Sequence, residues 1–516
     1  MTWRRWVLVG GALVVVGILV VAVVVLKSGS PDGTADTAAS REQADVVARY
    51  LSAWSHADVK TASALTDDPP NAAEGLLKAR TELGVDPAAT VVKTAGKTAN
   101  FRVSWTFAPG TVWTYDNSLS LVQAQGKWVV RWAPSVIHPQ LFGGAVLRVL
   151  GHSGNAVLDR DGKPLLAWQA DQPQAVDGNF APILTPGLGR VATEKAAASK
   201  TVVIRIGEDD KVLFGRPAGP PLTSTLSSRV QAEAQTAVDG ASFPAMLVAI
   251  QPSTGDILAV AQNAAAGPAP NALTGGYAPG STFKMATATA VLERNAASSD
   301  TVLPCPGSVQ IGQRNIPNDD NFSLPPLPLH SAFAHSCNTT FAQLASGLPA
   351  DALVDAANQL GINADFTIPG IATEAGKVVA PANSAEQVEA AIGQGKVQTS
   401  PFGLTLAAAT VAAGKAITPR LWHGLDTTIN TPYQAPPDAV VGQLRSMMRE
   451  VVTDGTATGL AGSGNVAGKT GTAQFGDGTQ ANGWFTGYRD DLAFSVLLLG
   501  SNSSKPAVSV AAAFLR

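Results

Sequence analysis

Charged residues are scarce in this sequence. Asp, Glu, Lys and Arg make up 15% of the 516 residues, whereas about 25% is usual for a globular protein. The 36 basic and 39 acidic residues give a formal net charge of -3. This balance excludes a phosphate-binding surface over the whole chain and leaves room only for a local basic patch. No basic stripe or aromatic platform supports nucleic-acid binding, so we expect no nucleic acid among the partners.

Cysteine and histidine are also rare. Two cysteines in 516 residues exclude a disulfide-framework fold and a four-cysteine metal site. The six histidines are scattered, and none stands in an H-x-x-H or H-E-x-x-H pattern, which argues against a zinc enzyme. The sequence therefore predicts neither a metal ion nor a cofactor.

One long hydrophobic run is present near the start of the chain. Residues 6–26 contain no charge, and a helix of this length covers a bilayer core of about 30 Å. Arg4 and Arg5 precede the run and Lys27 follows it, which favours a cytoplasmic N-terminus. A cleaved signal peptide is the alternative, although its apolar core is usually only about 7–15 residues long. We expect a single-pass membrane anchor with the rest of the chain outside the cytoplasm.

The segment after the anchor changes from a helical to a strand pattern. Apolar residues recur at helical spacing along one predicted face: Ala44, Val47, Ala48, Leu51 and Trp54. A second helix is predicted over residues 72–83, with Leu76, Leu77 and Leu83 buried. Over residues 101–107 apolar and polar residues alternate, which predicts a strand with one face on a core. Helices followed by an antiparallel sheet predict a compact α+β domain.

The last half of the chain has strand patterns at both of its ends. Runs at 246–251 and 257–261 form a hairpin signal, and strand patterns return at 468–475, 483–488 and 492–499. The economical fold is one five-stranded antiparallel sheet with a mostly helical insert between its two parts. The chain is therefore predicted to be a multidomain α+β protein with these divisions: a cytoplasmic tail at 1–5, an anchor at 6–26, a linker at 27–40, and domains at 41–139, 140–235 (β-rich) and 236–516.

Three short motifs in the last domain carry chemistry. Ser281 and Lys284 form the only S-x-x-K of the chain, and this spacing puts an amine beside a hydroxyl that needs a base. Residues 469–472 form the only K-T-G-T, on a predicted strand, where lysine and threonine suit a carboxylate. Ser336 and Asn338 form an S-x-N triplet between the other two motifs. Taken singly, each motif is equally typical of a helix cap or an ordinary hairpin.

In this order, the motifs are the signature of serine acyl-transferases that react with penicillin. The sequence resembles the class B high-molecular-mass penicillin-binding proteins. Two further segments are similar to that family: Gly393-Gln394-Gly395 with Thr399-Ser400-Pro401, and Trp484-Phe485-Thr486-Gly487-Tyr488. Residues 41–139 resemble the NTF2-like N-terminal domain of the low-affinity methicillin-resistance penicillin-binding protein. Residues 140–235 resemble the family's pedestal, or dimerisation, domain.

The resemblance implies a peptidoglycan D,D-transpeptidase, with β-lactams as inhibitors and other cell-wall synthesis or division proteins as partners. It implies Ser281 as nucleophile, Lys284 as its base, Ser336 as proton relay and Asn338 as a substrate ligand. Lys469 and the following residues would bind the substrate carboxylate and support the proton network: Thr470, Gly471 and Thr472.

Several rival functions remain to be weighed. A D,D-carboxypeptidase would use the same residues with water as acceptor, and a catalytically silent cell-wall scaffold is the non-enzyme alternative. A class A β-lactamase is one small domain with a glutamate-bearing loop, and neither feature is evident here. A β-lactam sensor would need a cytoplasmic signalling part, which residues 1–5 do not supply.

The two cysteines, Cys305 and Cys337, both fall in the helical insert. An oxidising extracytoplasmic compartment permits a disulfide between them. Two separate buried thiols are the alternative, because free cysteine is also a common small core residue. The pairing is of functional interest because Cys337 is the middle residue of the S-x-N triplet.

Overall fold

The computed structural model describes residues 34–107, 110–178, 180–197, 200–216, 219–476 and 478–516. These residues divide into two compact units, one of the described residues up to 148 with 204–211, the other of those in 149–203 with 212–516. In the described part of the chain, no helix is both long enough and apolar enough to cross a bilayer. The predicted anchor at 6–26 lies outside the described residues.

The first unit begins with three helices and continues with four strands. The helices are α1 (Thr34–Ser55), α2 (Val59–Ala64) and α3 (Pro69–Leu83), and the strands are β1 (Pro87–Ala95), β2 (Thr98–Phe107), β3 (Thr111–Ala124) and β4 (Lys127–Val130). The strands form an antiparallel sheet in sequence order. The alternation over residues 101–107 is confirmed, because the apolar residues Phe101, Val103, Trp105 and Phe107 are all buried.

The buried face of α1 differs from the prediction. Ala44 and Ala48 are exposed, whereas Val46 and Tyr50 are buried. Hydrophobic stabilisation scales with the apolar area removed from water, so the larger side chains decide which face of a helix is buried. The alanines matched the helical spacing but contribute too little area to set the face.

The prediction for α3 was wrong at one position. Leu76 and Leu83 are buried as expected, but Leu77 is 54% exposed. Ala72 and Ala79 complete the buried stripe with Leu76 and Leu83 at helical spacing. Leu77 lies about 100° around the helix from Leu76 and therefore points away from that stripe.

The middle of the chain is rich in short strands, as expected, and also contains a helix that the sequence did not predict. Its elements are β5 (Val146–Leu150), β6 (Asn155–Leu158), β7 (Pro164–Gln169), β8 (Gln172–Ala175), α4 (Thr185–Ala197), β9 (Thr201–Ile206), β10 (Asp209–Phe214) and β11 (Leu222–Thr223). They form one sheet in the order β11-β6-β7-β8 and another in the order β10-β9-β5.

The last part of the chain contains a five-stranded sheet and the helices around it. The helices are α5 (Ser228–Asp239), α6 (Asn271–Thr274), α7 (Lys284–Glu293), α8 (Leu329–Ala334), α9 (Asn338–Ser346), α10 (Ala352–Gln359), α11 (Ser384–Ala391), α12 (Pro401–Ala413), α13 (Asp438–Thr453) and α14 (Lys505–Phe514). The strands of the sheet are β12 (Ala245–Ile250), β13 (Ile257–Gln262), β22 (Val466–Phe475), β23 (Gln480–Arg489) and β24 (Leu492–Leu498). The sheet has the order β13-β12-β24-β23-β22, and its neighbouring strands are all antiparallel.

The insert between β13 and β22 is mainly helical and also contains short two-stranded pairs. These strands are β14 (Val302–Cys305), β15 (Ser308–Ile311), β16 (Arg314–Pro317), β17 (Leu324–Pro328), β18 (Asp365–Thr367), β19 (Gly376–Lys377), β20 (Gln398–Thr399) and β21 (Thr428–Thr431). Helix α12 is buried from Pro401 to Val411. A helix that is apolar on all sides is typical of a domain centre, and α12 packs against β12, where the Thr405 hydroxyl donates to the Val248 carbonyl at 3.2 Å.

Candidate active site

Ser281 lies in a 3-10 turn, Gly280–Phe283, that leads directly into α7. The sequence predicted the start of an α-helix here, and the structure has the tighter turn instead. In a 3-10 turn, side chains three residues apart are eclipsed. The Lys284 Nζ accordingly lies 3.0 Å from the Ser281 Oγ. The turn thus brings the two residues of the S-x-x-K motif into hydrogen-bond contact.

Glycines allow three segments of the chain to meet at this turn. Gly280 has φ +53°, and a Cβ there would overlap the carbonyl oxygen of Thr472. Gly393 has φ +71°, and a Cβ there would overlap the carbonyl oxygen of Gly280. The Gly280 N–H donates to the Gly393 carbonyl at 2.9 Å. Only glycine combines this close approach with a left-handed backbone, so these two residues fix the backbone around Ser281.

Lys284 is fully buried among oxygen atoms that carry no charge. Besides the Ser281 Oγ, three further oxygens lie within hydrogen-bond distance of its Nζ: the Asn338 Oδ1 at 2.6 Å, the Ser336 carbonyl at 2.7 Å and the Ser336 Oγ at 3.2 Å. The S-x-x-K and S-x-N motifs are therefore joined through one amine. The S-x-N residues reach it because Ser336 has φ +64° between α8 and α9.

Lys469 is the second fully buried lysine of the site. Its Nζ donates to the Ser336 Oγ at 2.9 Å and to the Thr470 carbonyl at 3.1 Å. The Ser336 hydroxyl thus lies between two amines, one from α7 and one from β22. All five residues predicted to be catalytic meet here: Ser281, Lys284, Ser336, Asn338 and Lys469.

Burial shifts the pKa of both lysines downwards. Burial holds the pKa of Lys284 well below its usual range, the nearby Lys469 lowers it further, and Asp319 opposes the shift. Burial lowers the pKa of Lys469 to about 7. A buried ammonium loses hydration that uncharged oxygen partners only partly replace, so the neutral amine is favoured. A neutral amine beside a serine hydroxyl can accept its proton.

Gly471 lets β22 pass close to the turn that holds Ser281. A Cβ on this residue would lie 2.7 Å from the Pro279 carbonyl oxygen and 2.9 Å from the Thr282 Cγ2. Thr470 and Thr472, on either side of Gly471, line the cleft. The Thr470 hydroxyl also shares a 2.5 Å hydrogen bond with the Thr456 hydroxyl, a contact that the sequence did not indicate.

A disulfide joins Cys305 to Cys337 in the structure, with 6.0 Å between their Cα atoms. Asn318 connects this bond to the site: its side-chain amide donates to the Cys305 Sγ at 3.4 Å, and its Oδ1 accepts from the Thr339 N–H at 3.1 Å. Asn338 is held by the same loop, since its Nδ2 donates to the Pro317 carbonyl at 2.9 Å. Sequence reasoning expected the disulfide to hold the loop that contains Pro317 against the triplet, but it missed Asn318, because no local pattern marks that residue.

Ser281 opens onto a cleft of about 740 Å³. Residues of all three motifs line it, together with the loop at 317–322 and residues that sequence reasoning gave no role: Ile392, Gln394, Thr456, Gln474 and Ser504. Two carboxyl groups, those of Asp319 and Asp320, lie at its wall. Burial and the neighbouring Asp320 raise the pKa of Asp319, whereas Lys284 lowers it. The cleft brings together a serine hydroxyl and, 3.0 Å from it, a buried amine whose pKa is lowered, an arrangement that suits acyl transfer.

Two segments of the chain match known protein families. Residues 245–516 match the penicillin binding protein transpeptidase domain, and residues 42–145 match the NTF2-like N-terminal transpeptidase domain. Among curated proteins, the peptidoglycan D,D-transpeptidase PbpA of Mycobacterium tuberculosis is 26% identical over 339 residues, which cover 54% of this chain and 68% of that protein.

Solved structures share the fold at low sequence identity. Penicillin-binding protein A from M. tuberculosis, as a ceftriaxone acyl-enzyme complex, has a TM-score of 0.56 and 21% identity, covering 71% of this chain and 99% of that chain. Pseudomonas aeruginosa PBP2 has a TM-score of 0.59 and 21% identity, covering 71% of this chain and 96% of that chain.

Proposed function

Because the chain belongs to the penicillin-binding-protein transpeptidase family and carries that family's NTF2-like N-terminal domain, we propose that it is a class B peptidoglycan D,D-transpeptidase. The enzyme cross-links stem peptides through an ester on Ser281 and is inhibited when a β-lactam acylates the same residue. The observation that carries the proposal is the 3.0 Å contact between Ser281 Oγ and the fully buried Lys284 Nζ. A serine hydroxyl is a weak nucleophile, and such a base activates it.

The first half-reaction forms the acyl-enzyme. Neutral Lys284 takes the proton of Ser281, and the Oγ attacks the carbonyl carbon of the penultimate D-alanine. The backbone N–H groups of Ser281 and Thr472 stabilise the oxyanion. The tetrahedral intermediate collapses as its C–N bond breaks, and the proton reaches the leaving nitrogen through Ser336, which is hydrogen-bonded to both lysines.

Substrate binding falls to the edge strand and the S-x-N triplet. Lys469, Thr470 and Thr472 bind the terminal carboxylate, because hydroxyl donors and an amine suit an anion. Gly471 keeps this part of β22 close to the Ser281 turn. The Asn338 amide donates one hydrogen to the Pro317 carbonyl, which leaves its second hydrogen for the substrate backbone.

The second half-reaction transfers the acyl group. An amine from a neighbouring stem peptide attacks the ester carbonyl and gives up a proton to neutral Lys284. The C–O bond to Ser281 then breaks, and the serine oxygen takes that proton from Lys284. A carboxypeptidase would use water at this step.

The domain division of the sequence is proposed for the whole chain. Residues 41–139 form the NTF2-like domain, residues 140–235 the pedestal and residues 236–516 the transpeptidase domain. Residues 6–26 anchor the protein in the membrane, with the N-terminus in the cytoplasm and the catalytic domain outside. In that position the enzyme works on the cell wall beside other wall-synthesis or division proteins.

Labelling with a fluorescent penicillin tests the proposal. The wild-type protein should carry one covalent adduct by intact-mass spectrometry, and Ser281→Ala should carry none. Ser446→Ala is the matched control, because this exposed serine on α13 lies away from the cleft. An adduct that persists in Ser281→Ala would contradict the assignment. A labelled enzyme that transfers stem peptides only to water would instead be a carboxypeptidase.

A further inference from the structure

Strand β22 lies at the end of the five-stranded sheet. One side of its backbone pairs with β23, and no other described strand pairs with the opposite side. Thr470, Thr472 and Gln474, at every second position, line the cleft. Unpaired N–H and C=O groups on an edge strand are a template for an extended peptide.

One side chain already occupies this edge. With its amide oriented to satisfy both partners, the Gln394 Oε1 accepts from the Gln474 N–H at 3.0 Å, and its Nε2 donates to the Gln474 carbonyl at 3.3 Å. These are the two hydrogen bonds that a residue of an added strand would make. The contact lies two residues beyond Thr472.

The backbone of Gln394 is fixed relative to the nucleophile. Its N–H donates to the Glu389 carbonyl at 3.0 Å. The preceding residue, Gly393, accepts the 2.9 Å hydrogen bond from Gly280, which is adjacent to Ser281. Gln394 therefore starts from an anchored position and reaches the strand edge through its side chain alone.

We propose that Gln394 ends the peptide-binding edge of β22 and so determines which acyl donors fit. The inference rests on the proposed function, because it takes Ser281 as the acylated residue. A donor pairs with the edge only as far as Thr472, and its chain must then leave the strand. An ordinary extended peptide would have to displace both hydrogen bonds of Gln394, which lowers its acylation rate by about tenfold at a typical net hydrogen-bond strength. Gln394 thereby acts as a positioning and specificity-determining residue.

The proposal is tested with the purified full-length protein and two thioester substrates that mimic the acyl donor. Both end in D-alanyl-thiolactate; one carries an acetyl group on the D-alanine nitrogen, and the other carries four further L-alanine residues. Release of thiol gives kcat/KM for each probe, and the ratio of long to short probe is the readout. Because both probes react with one protein sample, partial misfolding of a variant does not change the ratio.

Gln394→Ala should raise the ratio about tenfold. Gln394→Met keeps the length of the side chain but makes neither hydrogen bond, and it should raise the ratio as well. Gln398→Ala, an exposed glutamine four residues along, should leave the ratio at its wild-type value. A Ser281-dependent reaction with a ratio unchanged or lowered in Gln394→Ala would overturn the inference alone. Thiol release that is absent, or that survives in Ser281→Ala, would overturn the proposed function and the inference with it.

Discussion

Charged residues are exposed to solvent in the N-terminal sheet, whereas the lysines of the active site are buried. Arg102 and Asp116 pair across β2 and β3 at 2.7 Å, with side chains 57% and 67% exposed. Lys284 and Lys469 are fully buried, and within the described residues their hydrogen-bond partners are hydroxyl, carbonyl and amide oxygens. Burying an ammonium without a counter-charge is costly. The comparison indicates that the surface pair is a minor contact, whereas the burial of the two lysines is explained by the catalytic roles that we propose for them.

The largest effect is expected when Lys284 can no longer accept a proton. Lys284→Arg keeps a positive charge, but a guanidinium does not release its proton near neutral pH. The rate of penicillin acylation should fall by about 10²–10⁴-fold, as is usual when general-base catalysis is lost. Stopped-flow fluorescence with a labelled penicillin measures the rate.

Lys415→Arg is the matched control, because Lys415 is exposed in the same unit. Its acylation rate should equal that of the wild-type protein. Near-normal acylation by Lys284→Arg would show that the base lies elsewhere.

Loss of the disulfide should affect the site indirectly. Cys337 lies between Ser336 and Asn338, which both contact Lys284. Cys305→Ser frees a loop of sequence separation 32, and the chain-entropy model predicts a loss of about 3–4 kcal/mol of stability. A displacement of about 1 Å in a site can cost about 10²-fold in rate. The bond holds the triplet without touching the nucleophile or its base, so we expect acylation to slow by about tenfold.

Treatment with a reductant distinguishes the effect of losing the disulfide from the effect of the Cys305→Ser side chain. Dithiothreitol should slow the wild-type protein to the rate of Cys305→Ser and should leave that variant unchanged. Alkylation and peptide mass spectrometry report the state of the bond. Equal rates for wild-type and Cys305→Ser would show that the bond does not hold the triplet.

The sequence predicted which motif residues meet more accurately than it predicted which faces of α1 and α3 are buried. The S-x-x-K, S-x-N and K-T-G motifs are local patterns, and each brings its own backbone geometry with it. The structure joins Ser281, Lys284, Ser336 and Lys469, in that order, through a chain of hydrogen bonds. The strand at 101–107 was also predictable, because one face is buried and the side chains alternate.

Other features depend on which distant segments meet, and a local pattern does not carry this information. Gly393 and Gly280 approach each other across more than a hundred residues of sequence. Asn318 and Thr456 lie in no recognisable motif. Asn318 contacts the site because its loop packs against α9, and Thr456 contacts it because β22 passes nearby. The prediction of the buried face of α1 was wrong because the spacing of alanines says little about the apolar area that they bury.

The pH dependence of acylation tests the coupling between the two lysines. Lys284 must be neutral to act, so the rate rises with pH through its pKa. Protonated Lys469 lowers that pKa. Lys469→Met removes this cation, so the pKa of Lys284 should rise and the acid limb of the pH–rate profile should move to higher pH. The residual rate of the variant, normalised to its own maximum, gives the midpoint.

The same substitution has an effect on stability with a defined sign. The folded pKa of Lys469 is about 7, below its unfolded value of about 10.4. The unfolded chain therefore binds more protons between these values, and the stability of the wild-type protein rises with pH across this window. Below pH 7 the full cost of burying the charge is present, so Lys469→Met should have its largest advantage in thermal unfolding there. In the acylation experiment, an acid limb of the Lys469→Met pH–rate profile that stays at its wild-type pH would show that the two lysines are not coupled.

The smallest effect is expected at the exposed pair of the N-terminal sheet. Arg102 and Asp116 gain little from each other, because water and salt screen an exposed ion pair. Arg102→Ala should change the midpoint of thermal unfolding by less than about 2 °C, and penicillin labelling should be unaffected. The neighbouring residue on β2 supplies the contrast, since Phe101 is fully buried and Phe101→Ala should cost about 3–5 kcal/mol. Circular dichroism on both variants measures the difference. If Arg102→Ala destabilised the protein as much as Phe101→Ala does, exposed pairs would matter to this fold, and burial alone would no longer separate the structural charges from the catalytic ones.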